Sequence, residues 1–172
     1  MKHIFEKKDC DKIINYFEDV NEWLYINEYP SKNYFFYKID FNDFKTQHNL
    51  IYELINNVIV DYVKKNHSLN IKSFTFILLK YEKDQFFSKH VDKVIDSDYH
   101  KDAILNVNFL LNDSFTGGDF YLEDKKFVDN KVGVVFSYYS NQPHELKKIE
   151  SGIRYLVLCY IRERDLIKTN LM

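Results

Sequence analysis

The sequence predicts a mainly β fold with its helices gathered towards the N-terminal side, and three observations predict it. Aromatics make up 17% of the 172 residues, from 15 Phe, 14 Tyr and one Trp, and aromatic and β-branched side chains suit a half-buried pleated surface. Apolar positions recur at helical spacing in the first third, but after His67-Ser68 they fall in short runs separated by turn residues. Gly (4) and Pro (2) are scarce, which argues against a disordered or low-complexity tract. Many short strands imply an antiparallel sandwich or barrel, and the leading helices would buttress one of its faces.

In chain order, Asp11 is the expected cap of a first helix running to about Asn21, with Ile13, Ile14, Phe17 and Val20 as its apolar stripe. Residues 33–40 (NYFFYKID) read as a strand. From Asn42 to about Lys65, Phe44, Leu50, Ile51, Leu54, Ile55, Val58, Ile59 and Tyr62 repeat with helical periodicity, giving one long amphipathic helix. Both stripes are read as packing against a sheet. Residues 72–82, 103–112, 118–123, 132–138 and 152–162 are rich in β-formers, with turn signals at Thr116-Gly117-Gly118 and Asp129-Asn130-Lys131. No internal repeat or linker interrupts the pattern. The expected organisation is one domain over 1–172, with helical support over about 1–70 and the β core over about 71–164.

Net charge is -2 and the pI is about 6.3, so there is no global electrostatic footprint for nucleic acid. Cys10 and Cys159 lie far apart, and Cys159 sits in an apolar run as a small core residue, so a disulfide framework is not expected. The opening MKHIFEKKDC lacks an apolar signal core, and no apolar stretch reaches about 18 residues. The reading is a soluble, intracellular (cytoplasmic) protein with no membrane partner. Oligomeric state is left open.

Among six histidines, two stand out. His90 and Asp92 are two apart in FFSKHVDKV, and in an extended segment both side chains point to one face. An imidazole and a carboxylate side by side supply two members of a 2-His-1-carboxylate triad, which leaves coordination positions open and suits non-haem Fe(II). His144, in SNQPHEL between two expected strands, is the candidate third ligand. Ten residues later Arg154 opens RYLVLCYI, where alternation sets Arg154, Leu156, Leu158 and Tyr160 on one face and Tyr155, Val157, Cys159 and Ile161 on the other. A lone Arg opening an apolar strand is costly to bury without an anion, and a guanidinium matches a carboxylate bidentately. A dicarboxylate is therefore its natural partner.

The ordered pattern His90-x-Asp92, His144, Arg154 resembles the 2-oxoglutarate/Fe(II) oxygenases, particularly their prolyl 4-hydroxylase-like branch. LLKYEKDQFFSKHVD resembles that branch's approach to its His-x-Asp, with Tyr81 nine residues before the first His and Phe87 three before it. ILNVNFLLN followed by GGDFYL resembles its next strand, leucine-asparagine corner and Gly-Gly hairpin. FSYYSNQPHEL then GIRYLVLCYI resembles the strand pair carrying the distal His and the co-substrate Arg. The likeness covers roughly residues 72–163. One departure is Asp84, where many relatives have glycine.

The resemblance implies a double-stranded β-helix (jelly-roll, cupin-like) core with His90, Asp92 and His144 holding Fe(II). It implies Arg154 and Tyr81 on the distal carboxylate of 2-oxoglutarate, O2 as the second co-substrate and ascorbate as a reductant. Asn106 and Asn108, on one face of strand 104–112, are read either as co-substrate or substrate contacts or as hydrogen-bonding to neighbouring strands. Asp119 is a substrate contact or an exposed turn acid, and His100 a solvated-loop residue beside the metal. His3, His48 and His67 are expected to do no chemistry, and Ser137, Ser140 and Asn141 are read as turn residues. The expected reaction decarboxylates 2-oxoglutarate to succinate and CO2 and hydroxylates a C–H of a protein, peptide or amino-acid substrate, with prolyl residues leading by resemblance. The alternatives are a hydroxylase or demethylase of a small metabolite or nucleic acid, and a catalytically silent binding module. Loops 93–102 and 124–131 are the expected seat of selectivity.

Overall fold

A computed structural model describes residues 2–3, 5–28, 31–36, 49–93 and 101–167. Among them the chain runs β1 (Lys2–His3), α1 (Lys7–Val20), β2 (Trp23–Glu28), β3 (Ser31–Phe36), α2 (Asn49–His67), β4 (Thr75–Tyr81), β5 (Phe86–His90) and β6 (Ala103–Leu110). There follow β7 (Phe115–Gly117), β8 (Phe120–Leu122), β9 (Lys125–Lys126), β10 (Val134–Tyr139), β11 (His144–Leu146), β12 (Ile149–Gly152) and β13 (Arg154–Arg162), closed by a 3-10 turn at Glu163–Asp165.

The strands hydrogen-bond in the order β1-β10-β6-β13-β4-β3-β5-β11-β8-β9, with β2 on β3, and β7 pairs β12 separately. All pairings are antiparallel. β3 makes the sheet turn back on itself: its residues 34–36 pair β4 while 31–32 pair β5. One short strand thus joins the broad sheet β10-β6-β13-β4 to the narrow run β5-β11-β8, as the double-stranded β-helix expected from the sequence requires.

Strand alternation splits the core in two. Tyr155, Val157, Cys159 and Ile161 of β13 join Leu105, Val107 and Phe109 of β6 in one cluster, with Ile13 and Phe17 of α1 and Ile55, Ile59 and Val63 of α2 laid against them. Leu156, Leu158 and Tyr160 face the opposite way, into a second cluster with Leu79, Phe120, Phe136 and Leu146. The helices therefore cover the outside of the broad sheet, and each fully buried Ile of their stripes contributes roughly 1.5–3 kcal/mol. The inside of the roll remains for the site.

The first helix starts earlier than expected. Its N-cap is Glu6, and Asp11 lies within the helix, paired to Lys7 at 2.7 Å. Cys10, Ile13 and Phe17 form its fully buried stripe, so the apolar period begins one turn before Asp11. The C-terminal end falls as expected: Asn21, at φ 52°, donates its N–H to the Phe17 carbonyl at 3.1 Å. Strand β2 was not expected at all. Of the strand expected at 33–40 and the helix expected from Asn42, positions 37–48 lie outside the described residues. Cys10 and Cys159 are both buried and free. No described helix is long and apolar enough to cross a membrane.

Candidate active site

The inner face of the roll encloses a cavity of about 300 Å³ that reaches from His90, Asp92 and His144 to Arg154 and Tyr81, between apolar walls that include Leu79, Leu156 and Leu158. His90 ends β5 and His144 opens β11, and the two are register partners in an antiparallel pair. Their rings sit 4.2 Å apart between centroids. Asp92 follows two residues after β5 and reaches both: His90 Nε2 lies 3.4 Å from Asp92 Oδ1, and His144 Nε2 lies 3.3 Å from Oδ2. One ligand atom from each of the three falls within 4.8 Å of the others.

Each imidazole is oriented by a carbonyl two residues upstream. His90 Nδ1 meets the Ser88 carbonyl at 2.6 Å and His144 Nδ1 meets that of Gln142 at 3.0 Å. A carbonyl only accepts, so Nδ1 carries a proton in both rings, and Nε2 is the atom each ring turns towards the shared centre. Burial lowers the His144 pKa; Asp92 opposes that shift and His90 adds to it. Phe87 stacks on His90 at 4.0 Å and 29°. Two imidazoles and one carboxylate, with an open cavity on one side, make a donor set that fits Fe(II) and similar divalent ions.

The far end of the cavity is cationic. Arg154 begins β13 opposite Tyr81 on β4 and is fully buried at 0% exposure. Its Nε, Nη1 and Nη2 find no hydrogen-bond partner among the described residues; its guanidinium instead lies about 6 Å from the Tyr81 and Phe115 rings (6.0 and 5.9 Å). Burial pulls its pKa down to about 10, opposed by Tyr81 and Tyr138. Burial in turn pushes the Tyr81 hydroxyl well up, against the pull of Arg154. A buried guanidinium without a hydrogen bond is costly unless an anion meets it, so this end fits a carboxylate. Asn108 lines the same cavity, and its Nδ2 has no well-formed hydrogen bond.

Arg154 is seated by two features of the chain. Asn112 Nδ2 donates to the Ile153 carbonyl at 2.7 Å and its Oδ1 accepts the Tyr155 N–H at 2.9 Å, so one side chain grips the backbone on both sides of Arg154. Gly118, at φ +62°, passes so close that an added Cβ would stand 2.4 Å from Ile149 Cδ1 and 3.4 Å from Arg154 Cδ.

Tyr138 went unread in the sequence. From β10 its hydroxyl lies 3.2 Å from His144 Nε2 and 3.4 Å from Asp92 Oδ2, and burial followed by Asp92 drives its pKa far up. The inward alternation of Phe136 and Tyr138 was the available signal. Asn106 does not line the cavity: its Nδ2 donates to Asp92 Oδ2 and its Oδ1 accepts from Ser140 Oγ. Asp119 is also outside the cavity, held by Lys126 at 2.9 Å. His67 contacts Ser137 Oγ at 2.8 Å. His48, His100 and most of the 93–102 loop lie outside the described residues.

The family model described as "2OG-Fe(II) oxygenase superfamily" matches residues 76–162, just over half of the chain, a span that holds His90, Asp92, His144, Arg154 and Tyr81. Among solved structures, a Pseudomonas putida prolyl-4-hydroxylase superposes with TM-score 0.73 at 14% identity, over 94% of this chain and 90% of its own. A viral collagen prolyl hydroxylase from Paramecium Bursaria Chlorella virus-1, solved with 2OG, gives 0.68 at 15% over 94% and 93%. A Trichoplax adhaerens prolyl hydroxylase, solved with a hypoxia inducible factor oxygen degradation domain peptide fragment, gives 0.67 at 15% over 92% and 79%. At these identities the likeness is one of fold. Curated protein sequences give no significant match.

Proposed function

The chain belongs to the 2OG-Fe(II) oxygenase superfamily, and from that premise we propose that it is a dioxygenase that hydroxylates prolyl residues of a protein or peptide. The observation that carries the reading is the cavity itself, with a His-Asp-His cluster at one end and at the other a buried guanidinium without a hydrogen bond among the described residues.

In this reading His90, Asp92 and His144 hold the metal. Bound there, Fe(II) and 2-oxoglutarate supply, with O2, decarboxylation to succinate and CO2 and hydroxylation of a substrate C–H. The carbonyls of Ser88 and Gln142 keep both imidazoles in the ligating tautomer. Arg154 and Tyr81 take the distal carboxylate, and Asn108 Nδ2 donates a further hydrogen bond to the co-substrate. The apolar walls exclude water, so the guanidinium–carboxylate pair forms in a low dielectric and gains in strength. The prolyl preference draws support from the prolyl hydroxylases that share this fold.

The test is succinate release with Fe(II), 2-oxoglutarate and ascorbate as added reductant, screened against proline-containing peptides, free amino acids and nucleic acids. Stimulation by prolyl peptides is expected. Stimulation by free amino acids or nucleic acid alone would overturn the prolyl reading and leave the oxygenase one. Under argon, Fe(II) plus 2-oxoglutarate should give a weak visible charge-transfer band. A folded, ion-loaded protein with no such band and no succinate would overturn both.

A further inference from the structure

We propose that Asn106 is a positioning residue for Asp92 and that Ser140 is its anchor, the two forming a bracket that orients the carboxylate towards His90 and His144. The inference rests on the ion-site reading above. It gives Asn106 a task apart from co-substrate contact and apart from pairing between strands.

The need for a bracket follows from where the three candidate ligands sit. His90 and His144 lie in paired strands, and each ring is fixed through Nδ1 by its own backbone. Asp92 has already left the β5 ladder and lies in a bend, so its direction is set by contacts outside that ladder.

Ser140 supplies that hold twice. Its carbonyl accepts the N–H of Asp92 at 3.0 Å and that of Lys93 at 2.8 Å, and its own N–H donates to the Ile104 carbonyl on β6 at 3.1 Å. Its hydroxyl donates to Asn106 Oδ1 at 3.1 Å, and Asn106 Nδ2 donates to Asp92 Oδ2 at 2.5 Å. One residue therefore holds the Asp92 backbone directly and its side chain through an amide relay. The relay has a fixed polarity. A carboxylate only accepts, so the NH2 end of Asn106 must face Asp92, and its carbonyl end is left for the Ser140 hydroxyl. Asn106 is 0% exposed and Ser140 1%, so water does not compete for these bonds.

The experiment titrates metal-free protein with Co(II), following heat and the visible d–d spectrum, for the wild type, Asn106→Ala, Ser140→Ala and the double variant. Asn106→Ala should weaken Co(II) binding by roughly 10–100-fold and alter the spectrum, as loss of a ligand-orienting partner does. Ser140→Ala keeps its backbone hold on Asp92 and should cost less, about several-fold. The double variant should bind no more weakly than Asn106→Ala alone, because the hydroxyl acts through the amide. A purely structural Asn106 would lower the melting temperature of the ion-free protein while leaving Co(II) affinity and spectrum unchanged, and that result overturns the proposal. Additive losses in the double variant overturn it too. Should Asn106→Ala not fold, unchanged Co(II) affinity in Ser140→Ala is enough to overturn it. Failure of the wild type to bind Co(II) removes the ion-site reading and the bracket together, whereas tight binding by both wild type and Asn106→Ala removes the bracket alone.

Discussion

Arg154 shows what a buried charge costs the fold that carries it. A guanidinium at 0% exposure, with three nitrogens lacking a hydrogen bond among the described residues and aromatic rings about 6 Å away, is poorly compensated in the ligand-free fold. Replacing it by a flexible apolar residue should therefore stabilise the ligand-free protein. We expect Arg154→Met to raise the ligand-free stability by about 1 kcal/mol or more, read by urea unfolding. The same variant should bind 2-oxoglutarate about 100–1,000-fold more weakly, since a desolvated charge pair is worth about 3–4 kcal/mol when one partner is removed. Arg154→Lys should recover only part of that affinity, because an ammonium is a point charge without the two-pronged fork. A ligand-free Arg154→Met protein less stable than wild type would contradict the stored cost, and unchanged 2-oxoglutarate affinity would contradict the assigned role.

At the scale of elements, the tight passage between β7 and β8 decides whether Arg154 has a seat. Gly117 and Gly118 adopt φ +72° and +62° in succession, so an L side chain at either position is strained by about 1–2 kcal/mol before any contact is counted. Their surroundings differ. A Cβ on Gly117 would meet backbone, the Lys148 carbonyl at 2.5 Å (which accepts the Gly118 N–H) and the Glu150 nitrogen at 2.9 Å, whereas one on Gly118 meets side-chain atoms, the Cδ1 of Ile149 and the Arg154 stem. Gly117→Ala should thus cost the more stability, by about 3 kcal/mol or more, and Gly118→Ala the less. Gly118→Ala should raise the KM for 2-oxoglutarate relative to its stability loss, and equal effects of the two variants on that KM would refute the seat. The turn before β5 carries the opposite opportunity. Asp84 sits at φ 68°, a conformation glycine adopts without strain, and its ion pair with Lys148 is long (3.6 Å) and exposed. Asp84→Gly should be neutral to stabilising, by up to about 1 kcal/mol in thermal unfolding; a clear loss would show that the Asp side chain holds the turn.

The molecule as a whole is a sheet with two differently used faces, and that division was largely legible in the sequence. The alternation along RYLVLCYI assigned Arg154, Leu156, Leu158 and Tyr160 to the face that lines the cavity and the intervening residues to the helix-packed face. Periodicity carries this much because burial on a strand depends on parity alone. It carried less where another force sets the structure. The start of α1 was misplaced because Cys10 was not counted in its stripe, and β2 was passed over although WLYI is made of β-formers. The hydrogen-bond partners of Ser140, Asn112 and Tyr138 stayed hidden because they lie 34 to 46 residues away for Asn106–Ser140, Asn112–Tyr155 and Asp92–Tyr138; alternation could place Tyr138 on the inner face but could not name what its hydroxyl meets. The two-faced architecture also fixes how the ion-free protein should respond to acid. Burial lowers the pKa of His144 inside the roll and of His67 on its outside, both below the ordinary imidazole value of 6.5. Between the lowered folded values and 6.5 the unfolded chain binds more protons, so stability is fully present above about pH 6.5 and is lost as pH falls below it. His67 is partly exposed, so solvent screening leaves His144 the larger share. Urea unfolding of metal-free protein should therefore give a lower midpoint at pH 5.5 than at pH 7.5 with the same slope, and His144→Gln should flatten that dependence more than His67→Gln. A midpoint indifferent to pH in the wild type, or flattened more by His67→Gln, would contradict the assignment of the pH response to the buried imidazole.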